Sequence, residues 1–382
     1  MAIPCWAVWL FWLSLAAVVY PYAIYPLLLA ALNRMARRRL PEPDPNHRPR
    51  VTIICPVHNE ERRIADKIRN LLELDYPLEQ VQILVIGDAC TDQTLELALL
   101  EGQGRVEVIA LAERRGKAAA LNAGLFRADG DILMFTDAGI VLERGALAAL
   151  AGHFANPAIG CVSGEDAIDG AGGEGLYGRM ELWLRREEAK LHSIAGASGC
   201  LYAMRRSLCV PFRPAMAPDF LSVLDTVRAG SRAISEPNAR GTMTATASTR
   251  AEFSRKARTF LRGITALFGT AAPLNPFRHP AFSFILFSHK LMRWLAPIAL
   301  VGCLVGALLL RAEALYAGLL YAQLALYGLA IIGLALPGAA ARSLVVRICA
   351  FFVLVNLAAA KALGMWLIGI RQEVWEPTRR PA

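Results

Sequence analysis

The sequence predicts an α/β domain built on a doubly wound, largely parallel sheet, joined to a set of membrane-spanning helices. Short apolar runs of strand length alternate with helical stretches from residue 51 to residue 136, which is the pattern of β–α–β units. Each run stops at a polar, acid-bearing loop, as strands of such sheets do at a ligand-binding edge. Hydrophobic residues make up 55% of the 382, and the mean hydropathy is +0.39, so part of the chain belongs in lipid.

In chain order, Cys5 to Leu32 carries no charged side chain and is long enough to cross a bilayer. Arg34, Arg37, Arg38 and Arg39 follow at once, which places the next segment in the cytoplasm and makes residues 1–39 an N-terminal transmembrane helix. A cleaved signal peptide is the competing reading. Its charges would precede the apolar run, and the run would be shorter. Residues 40–49 contain four prolines and form a stiff linker.

The domain assigned to residues 50–252 opens with the strand Val51–Cys55 and its exit loop Pro56-Val57-His58-Asn59-Glu60. Strands follow at Gln82–Ile86, leaving through Asp88 to Thr94, at Val106–Ala110, and at Asp131–Phe135, leaving through Thr136-Asp137-Ala138-Gly139. Three strand exits thus carry Asn59/Glu60, Asp88/Asp92 and Asp137. A carboxylate on such a loop suits a divalent cation shared with a diphosphate, because hard cations prefer oxygen ligands. The plainer reading of Asp137 is a cap for the helix near Glu143 or a turn residue. Gly116-Lys117 stands at a helix start, where backbone N–H groups and an ammonium can meet phosphate, although GxxxxGK[ST] is absent. Gly196 to Gly199 leads into an apolar strand ending at Arg205. Asp219 lies near the start of a helix, where an ordinary N-cap is the simpler reading.

Residues 253–280 form an interfacial region. Arg255, Arg258 and Arg262 share one helical face, while Phe260, Leu261, Ile264, Leu267 and Phe268 share the other, so the apolar face is expected on the headgroups with the arginines offered to phosphate. A core-packed helix with a solvated basic face is the alternative. Residues 281–382 hold three more spans, Phe282–Leu310, Leu315–Leu336 and Ile348–Ile370. Lys290 and Arg293 are expected to snorkel to the cytoplasmic surface. Arg342 and Arg347 mark a cytoplasmic loop, so counting spans puts the C-terminus outside the cytoplasm.

The net charge of +9 gathers at the membrane flanks, and no basic patch interleaved with aromatics indicates nucleic-acid binding. The eight cysteines form no CxxC pair and no zinc spacing, which fits reduced thiols.

The assembled motifs resemble those of membrane-bound family-2 glycosyltransferases, enzymes of GT-A fold that move a sugar from a nucleotide-sugar to a lipid or glycan. The resemblance covers about Val51 to Arg262 and reaches Ser288-His289-Lys290 and Arg293-Trp294. It rests on Pro56 to Glu60, on Asp88 to Thr94 with Cys90 where Ser is usual, and on Arg115-Gly116-Lys117 through Gly124. It implies that Pro56, Glu60 and Asp88 border the nucleoside, with Asp88 accepting from the base, and that Lys117 approaches the nucleotide. Asp137 corresponds to the first acid of the metal-binding DxD, for Mg²⁺ or Mn²⁺. Gly199 to Arg205 corresponds to the acceptor-side segment, Asp219 to the general base, and Arg255 and Arg258 to the RxxR form of the QxxRW signature. The chain departs from the family at Gly139, which replaces the second DxD acid, at Pro218, and at Thr259, where processive synthases carry Trp.

The implied activity is an inverting, hexosyltransferase-type transfer to a lipid-linked or glycan acceptor. Its setting would be surface-glycan or exopolysaccharide assembly at the inner membrane, with a cytoplasmic catalytic domain and other glycan-assembly proteins as partners. A processive synthase and a non-catalytic scaffold on the same fold are the alternatives. A transporter is disfavoured because the spans carry few polar residues.

Overall fold

The computed structural model describes residues 4–169, 173–244, 249–270, 272–336 and 343–372. Its centre is an eight-stranded sheet in the order β3-β2-β1-β4-β7-β6-β8-β5. The strands are β1 (Val51–Val57), β2 (Val81–Asp88), β3 (Val106–Leu111), β4 (Ile132–Thr136), β5 (Val141–Leu142), β6 (Ile159–Asp169), β7 (Leu201–Arg205) and β8 (Arg232–Thr244). Helices α3 (Ile64–Leu72), α4 (Thr94–Gly102) and α5 (Lys117–Arg127) connect the first four strands. β1 is buried at every position, which explains why it reads as an unbroken apolar run: a strand covered on both faces shows no alternation.

The sheet is mixed, where the sequence suggests a mostly parallel one. β1 pairs in parallel with β2 and β4, and β2 with β3, but β7 runs antiparallel to both β4 and β6. This reversal sets Leu201 against Thr136 at the edge where β1, β2 and β4 end, and Arg205 against Ile132 at the opposite edge. The loop before β7 is thereby delivered to the ligand-binding edge. The stack of Phe135 on Tyr202, with centroids 4.7 Å apart, fixes the register at that edge.

Two further helices, α6 (Ala146–Gly152) and α7 (Gly173–Leu191), precede β7, and α8 (Pro218–Arg228) precedes β8. Among the described residues four helices are long and apolar enough to cross a membrane. The first comprises α1 (Cys5–Val19), a π-helical stretch Tyr20–Ile24 and α2 (Tyr25–Met35). Pro21 and Pro26 lie at this irregularity, where a missing N–H breaks the regular ladder. At about 1.5 Å per residue its 31 residues exceed a hydrocarbon core of roughly 30 Å, so one end must project. The α2 end grips the α/β domain: Asn33 donates to Glu187 at 2.8 and 2.9 Å, Tyr25 donates to Glu188 at 2.8 Å, and Arg38 donates to the Leu191 carbonyl.

After β8, α9 (Thr249–Gly269) runs into α10 (Pro280–Ile285), a π-helical stretch Leu286–Leu291, α11 (Met292–Leu309), α12 (Ala314–Ala335) and α13 (Leu344–Leu367). Three expectations need correction. The apolar face of α9 is buried in protein, with Leu261, Ile264 and Leu267 in the main core, so it is not laid on headgroups. Packing on the domain removes more of that face from water than a headgroup layer would. Arg293 does not snorkel: Tyr177, Glu181 and His289 hold its Nη1 in the interior. Lys290 lines an internal cleft.

The third correction concerns the chain's far end. In α13, Ala358, Ala359 and Ala362 are buried, and Ala362, Leu363, Met365 and Trp366 join the catalytic core. Small side chains permit that close approach, and Trp366 stacks on Phe268 of α9 at 4.9 Å. The end of α13 therefore packs on the α/β domain, against the counting argument, of which Arg342 lies outside the described residues. A fluorescent reporter fused behind residue 372 is expected to report the same side as the catalytic domain. A reporter ahead of Cys5 should report the opposite side.

Candidate active site

The exits of β1, β2 and β4 are fastened to one another by short polar contacts. Asn59, at φ +53°, accepts from Thr91 N at 2.9 Å, and Glu60 N donates to Thr94 Oγ1 at 2.8 Å. Asp88 is buried and accepts from Arg115 N and Gly116 N, both at 2.8 Å. Gly116 caps α5 with φ +83°, a conformation that disfavours a side chain, and the turn delivers Lys117 as the first helical residue.

Lys117 reaches across to β4, where its Nζ lies 2.6 Å from Asp137 Oδ1 and donates to the Gly199 carbonyl at 3.1 Å. The Cys200 thiol approaches the other oxygen, Asp137 Oδ2, at 3.4 Å. Asp137 thus takes no part in capping α6, whose N-cap is Gly145. Burial pulls the Lys117 ammonium downward, but Asp137 and its neighbours outweigh it and raise the pKa overall.

Asp219 occupies the first turn of α8 behind Pro218, with Ala217 at the N-cap position. A Cβ placed on Gly199 would stand 3.8 Å from its carboxyl, so the glycine keeps that approach open. Burial raises the Asp219 pKa above the usual carboxylate value, with Lys117 the main opposing influence. Burial likewise raises Glu60, opposed by Arg63 at 3.4 Å.

Pro56, Glu60, Lys117, Asp137, Gly199, Asp219, Arg255 and Arg258 line a single cleft of about 600 Å³. It runs from the sheet edge, beneath α9, to the start of α11. Two candidates are not in its lining. Asp88 accepts from Arg115 N and Gly116 N, one bond at each carboxylate oxygen, and so orders the turn that presents Lys117. Arg205, on the opposite edge of the sheet, donates to the carbonyls of Phe154, Asn156 and Ile159 and serves the fold.

One site residue escaped the sequence. Lys67 is buried beneath the β4 exit and donates to Thr136 Oγ1 at 3.0 Å and to the Ile140 carbonyl at 2.8 Å, bracketing Asp137. Burial lowers its pKa to about 8. The available signal was a charge among Ile64, Ile68 and Leu71, on the buried face of α3.

The donor set for a cation is a single carboxylate. Among the described residues no group of three or more His, Cys, Asp or Glu could hold a metal. Asp137 fits a Mg²⁺- or Mn²⁺-sized ion only if diphosphate oxygens and water complete the coordination.

Residues 52–210 match the family model for glycosyl transferase family 2. Residues 52–210 thus carry a glycosyl transferase family 2 domain. Poly-beta-1,6-N-acetyl-D-glucosamine synthase of Staphylococcus aureus (strain COL) is 32% identical over 120 residues, 31% of this chain and 29% of that enzyme. The probable glycosyltransferase YdaM of Bacillus subtilis is 29% identical over 105 residues, 26% of this chain and 25% of that protein. The matches thus span under a third of these curated relatives. Among solved structures, mannosyltransferase PcManGT from Pyrobaculum calidifontis, in complex with GDP-Man and Mn²⁺, superposes with a TM-score of 0.73 at 25% identity. That likeness covers 94% of this chain and 99% of that one, so the GT-A domain and its membrane helices are both included.

Replacing Lys67 by Met removes two buried donors beneath the Asp137 loop. A loss of about 1–3 kcal/mol is expected, from acceptors left without their partners. It should appear as a lower Tm of the purified protein.

Proposed function

We propose that the chain is an inverting glycosyltransferase that moves a sugar from a nucleotide-sugar to a membrane-associated acceptor, with Asp219 as general base. The observation that carries this is the convergence of Lys117, Asp137, Gly199 and Asp219 on one small cavity at the sheet edge. Its lining offers a cation and a carboxylate suited to a metal diphosphate. It also offers a carboxyl, that of Asp219, whose pKa is raised by burial. A base with a raised pKa takes a proton more readily once ionised.

In this reading Pro56 and Glu60 border the nucleoside, while Lys117, together with Arg255 and Arg258 of α9, offsets the charge that develops on the leaving diphosphate. Arg255 is oriented by Glu252 at 2.7 Å. Asp137 would hold the divalent ion, which would supply Lewis-acid stabilisation of the leaving group. Asp219, which lines the same cavity as Asp137, removes the proton of the acceptor hydroxyl in this reading. A single such base beside the donor site supports single displacement with inversion.

Support for metal and donor comes from PcManGT, whose structure contains GDP-Man and Mn²⁺. Support for a surface-glycan role comes from the S. aureus synthase, over the matched region only. Insertion of the catalytic domain between the α2 and α13 anchors supports a multi-pass membrane protein whose catalytic domain faces the cytoplasm. The arginines after the first span support the same orientation.

Purified protein in detergent should release nucleoside diphosphate from at least one of the UDP-, GDP- or TDP-sugars with Mn²⁺ or Mg²⁺. Asp219→Asn should lower kcat by about 10²-fold or more, on the scale of general-base catalysis. Turnover retained in Asp219→Asn would remove the residue from that role. The acid limb of the wild-type pH profile should lie above 3.8, because only the ionised carboxylate acts and burial raises its pKa. Gly139 has open space where a Cβ would stand. Gly139→Asp should therefore fold normally and lower the Mn²⁺ concentration needed for half-maximal rate.

A further inference from the structure

Asp219 and Lys117 belong to different parts of the chain, and one side chain joins those parts. Helix α5 starts at Lys117 and carries Asn122 in its second turn. Asn122 Nδ2 donates to the Phe212 carbonyl at 2.9 Å, and its Oδ1 accepts from Phe212 N at 2.7 Å. An amide side chain that bonds both polar groups of one residue fixes that residue in orientation as well as in distance.

Phe212 stands in the segment leading from β7 to α8, whose backbone has little else to hold it. Pro211, Pro214 and Pro218 lack an N–H, and Ala215 is left-handed at φ +59°. Among the described residues, the backbone of residues 210–216 makes hydrogen bonds only to Asn122. Asp219 follows in the first turn of α8, whose N-cap Ala217 offers no side-chain bond. The other end of the clamp is firm. Leu121 is buried, and a Cβ on Gly124 would stand 2.7 Å from the Ile54 side chain of β1, so α5 lies pressed on the sheet. The Phe212 ring meets Phe135 of β4 edge-on at 5.6 Å, beside the strand that leads to Asp137. The ring keeps the segment in the core, while the amide sets the course of its backbone.

We propose that Asn122 is a positioning residue for Asp219: it fixes the backbone that arrives at Pro218-Asp219 and so holds the base in place relative to Lys117 and Asp137. This rests on the glycosyltransferase reading and deepens it. The helix that presents Lys117 to the donor thereby also sets the acceptor side, and Leu121 of that helix lines the small cavity together with Pro218 and Asp219. Proton removal and departure of the diphosphate must share one geometry, and a misplacement of about 1 Å can cost about 10²-fold in rate.

The test uses the full-length protein in detergent with Mn²⁺ and whichever UDP-, GDP- or TDP-sugar the wild type turns over. Asn122→Ala removes both bonds. Asn122→Asp keeps the bond accepted from Phe212 N, and it keeps the test open if Asn122→Ala fails to fold. In Asn122→Ala, kcat for release of nucleoside diphosphate should fall about tenfold or more, with a smaller loss in Asn122→Asp. Affinity for the nucleoside diphosphate with Mn²⁺, measured by calorimetry, should stay within about twofold, because Lys117 and Asp137 keep their own supports. The acid limb of the Asn122→Ala pH profile should move down toward 3.8, since burial is what raises Asp219 and a looser segment exposes it. Added to Asp219→Asn, Asn122→Ala should cost less than about a further twofold, as for residues that act as one unit. A merely structural role would lower the rate equally in both backgrounds and leave the acid limb in place. Unchanged kcat in both variants, nucleotide affinity lost in step with kcat, or full additivity with Asp219→Asn would overturn the proposal. Turnover retained in Asp219→Asn removes the base, and the proposal with it, while the transferase stands. A wild type that binds UDP or GDP but turns over none of the sugars overturns the glycosyltransferase reading itself.

Discussion

The ion pair between Lys117 and Asp137 ties together the three parts of the chain that the site requires. Lys117 is presented by a turn that Asp88 holds, Asp137 ends β4, and the same ammonium reaches the Gly199 carbonyl ahead of β7. Lys67 braces the loop from below through Thr136 and Ile140. A cation so placed keeps an acidic strand exit ordered before any ligand arrives, which is the preorganisation that electrostatic catalysis demands. The antiparallel β7 is what brings Gly199 and Asp219 within reach of that pair.

Much of this was legible in the sequence because it is local. The buried strands β1, β2 and β4 appear as apolar runs, and their exits follow directly, so Glu60, Asp137 and the Gly116-Lys117 step could be named from order alone. What stayed hidden depends on direction and depth. Nothing in Leu201 to Arg205 announces an antiparallel strand, yet that reversal sends Arg205 to the far edge of the sheet. Asp88 sits at a strand exit like its neighbours, but which way its oxygens point is decided by the 115–116 turn. Lys67 left only the faint mark of one charge on an apolar helix face.

The membrane part shows the same limit. Hydropathy identifies the apolar helices, since any helix of such length and composition avoids water. It does not tell whether lipid or protein covers them. The alanine-rich side of α13 and the apolar side of α9 are covered by protein, and Tyr25, Glu188 and His289 form a buried polar link between the first span, α7 and the start of α11. Such links make the cleft a shared product of the catalytic domain and its anchors.

The central claim is that one protein carboxylate, Asp137, holds the divalent ion only in partnership with a diphosphate. Titration of Mn²⁺ followed by electron paramagnetic resonance, with and without a nucleoside diphosphate, tests it most directly. Mn²⁺ should bind weakly to the protein alone and far more tightly once the diphosphate is present, with both effects lost in Asp137→Asn. Tight Mn²⁺ binding without nucleotide, or nucleotide-dependent binding that survives Asp137→Asn, would contradict the account.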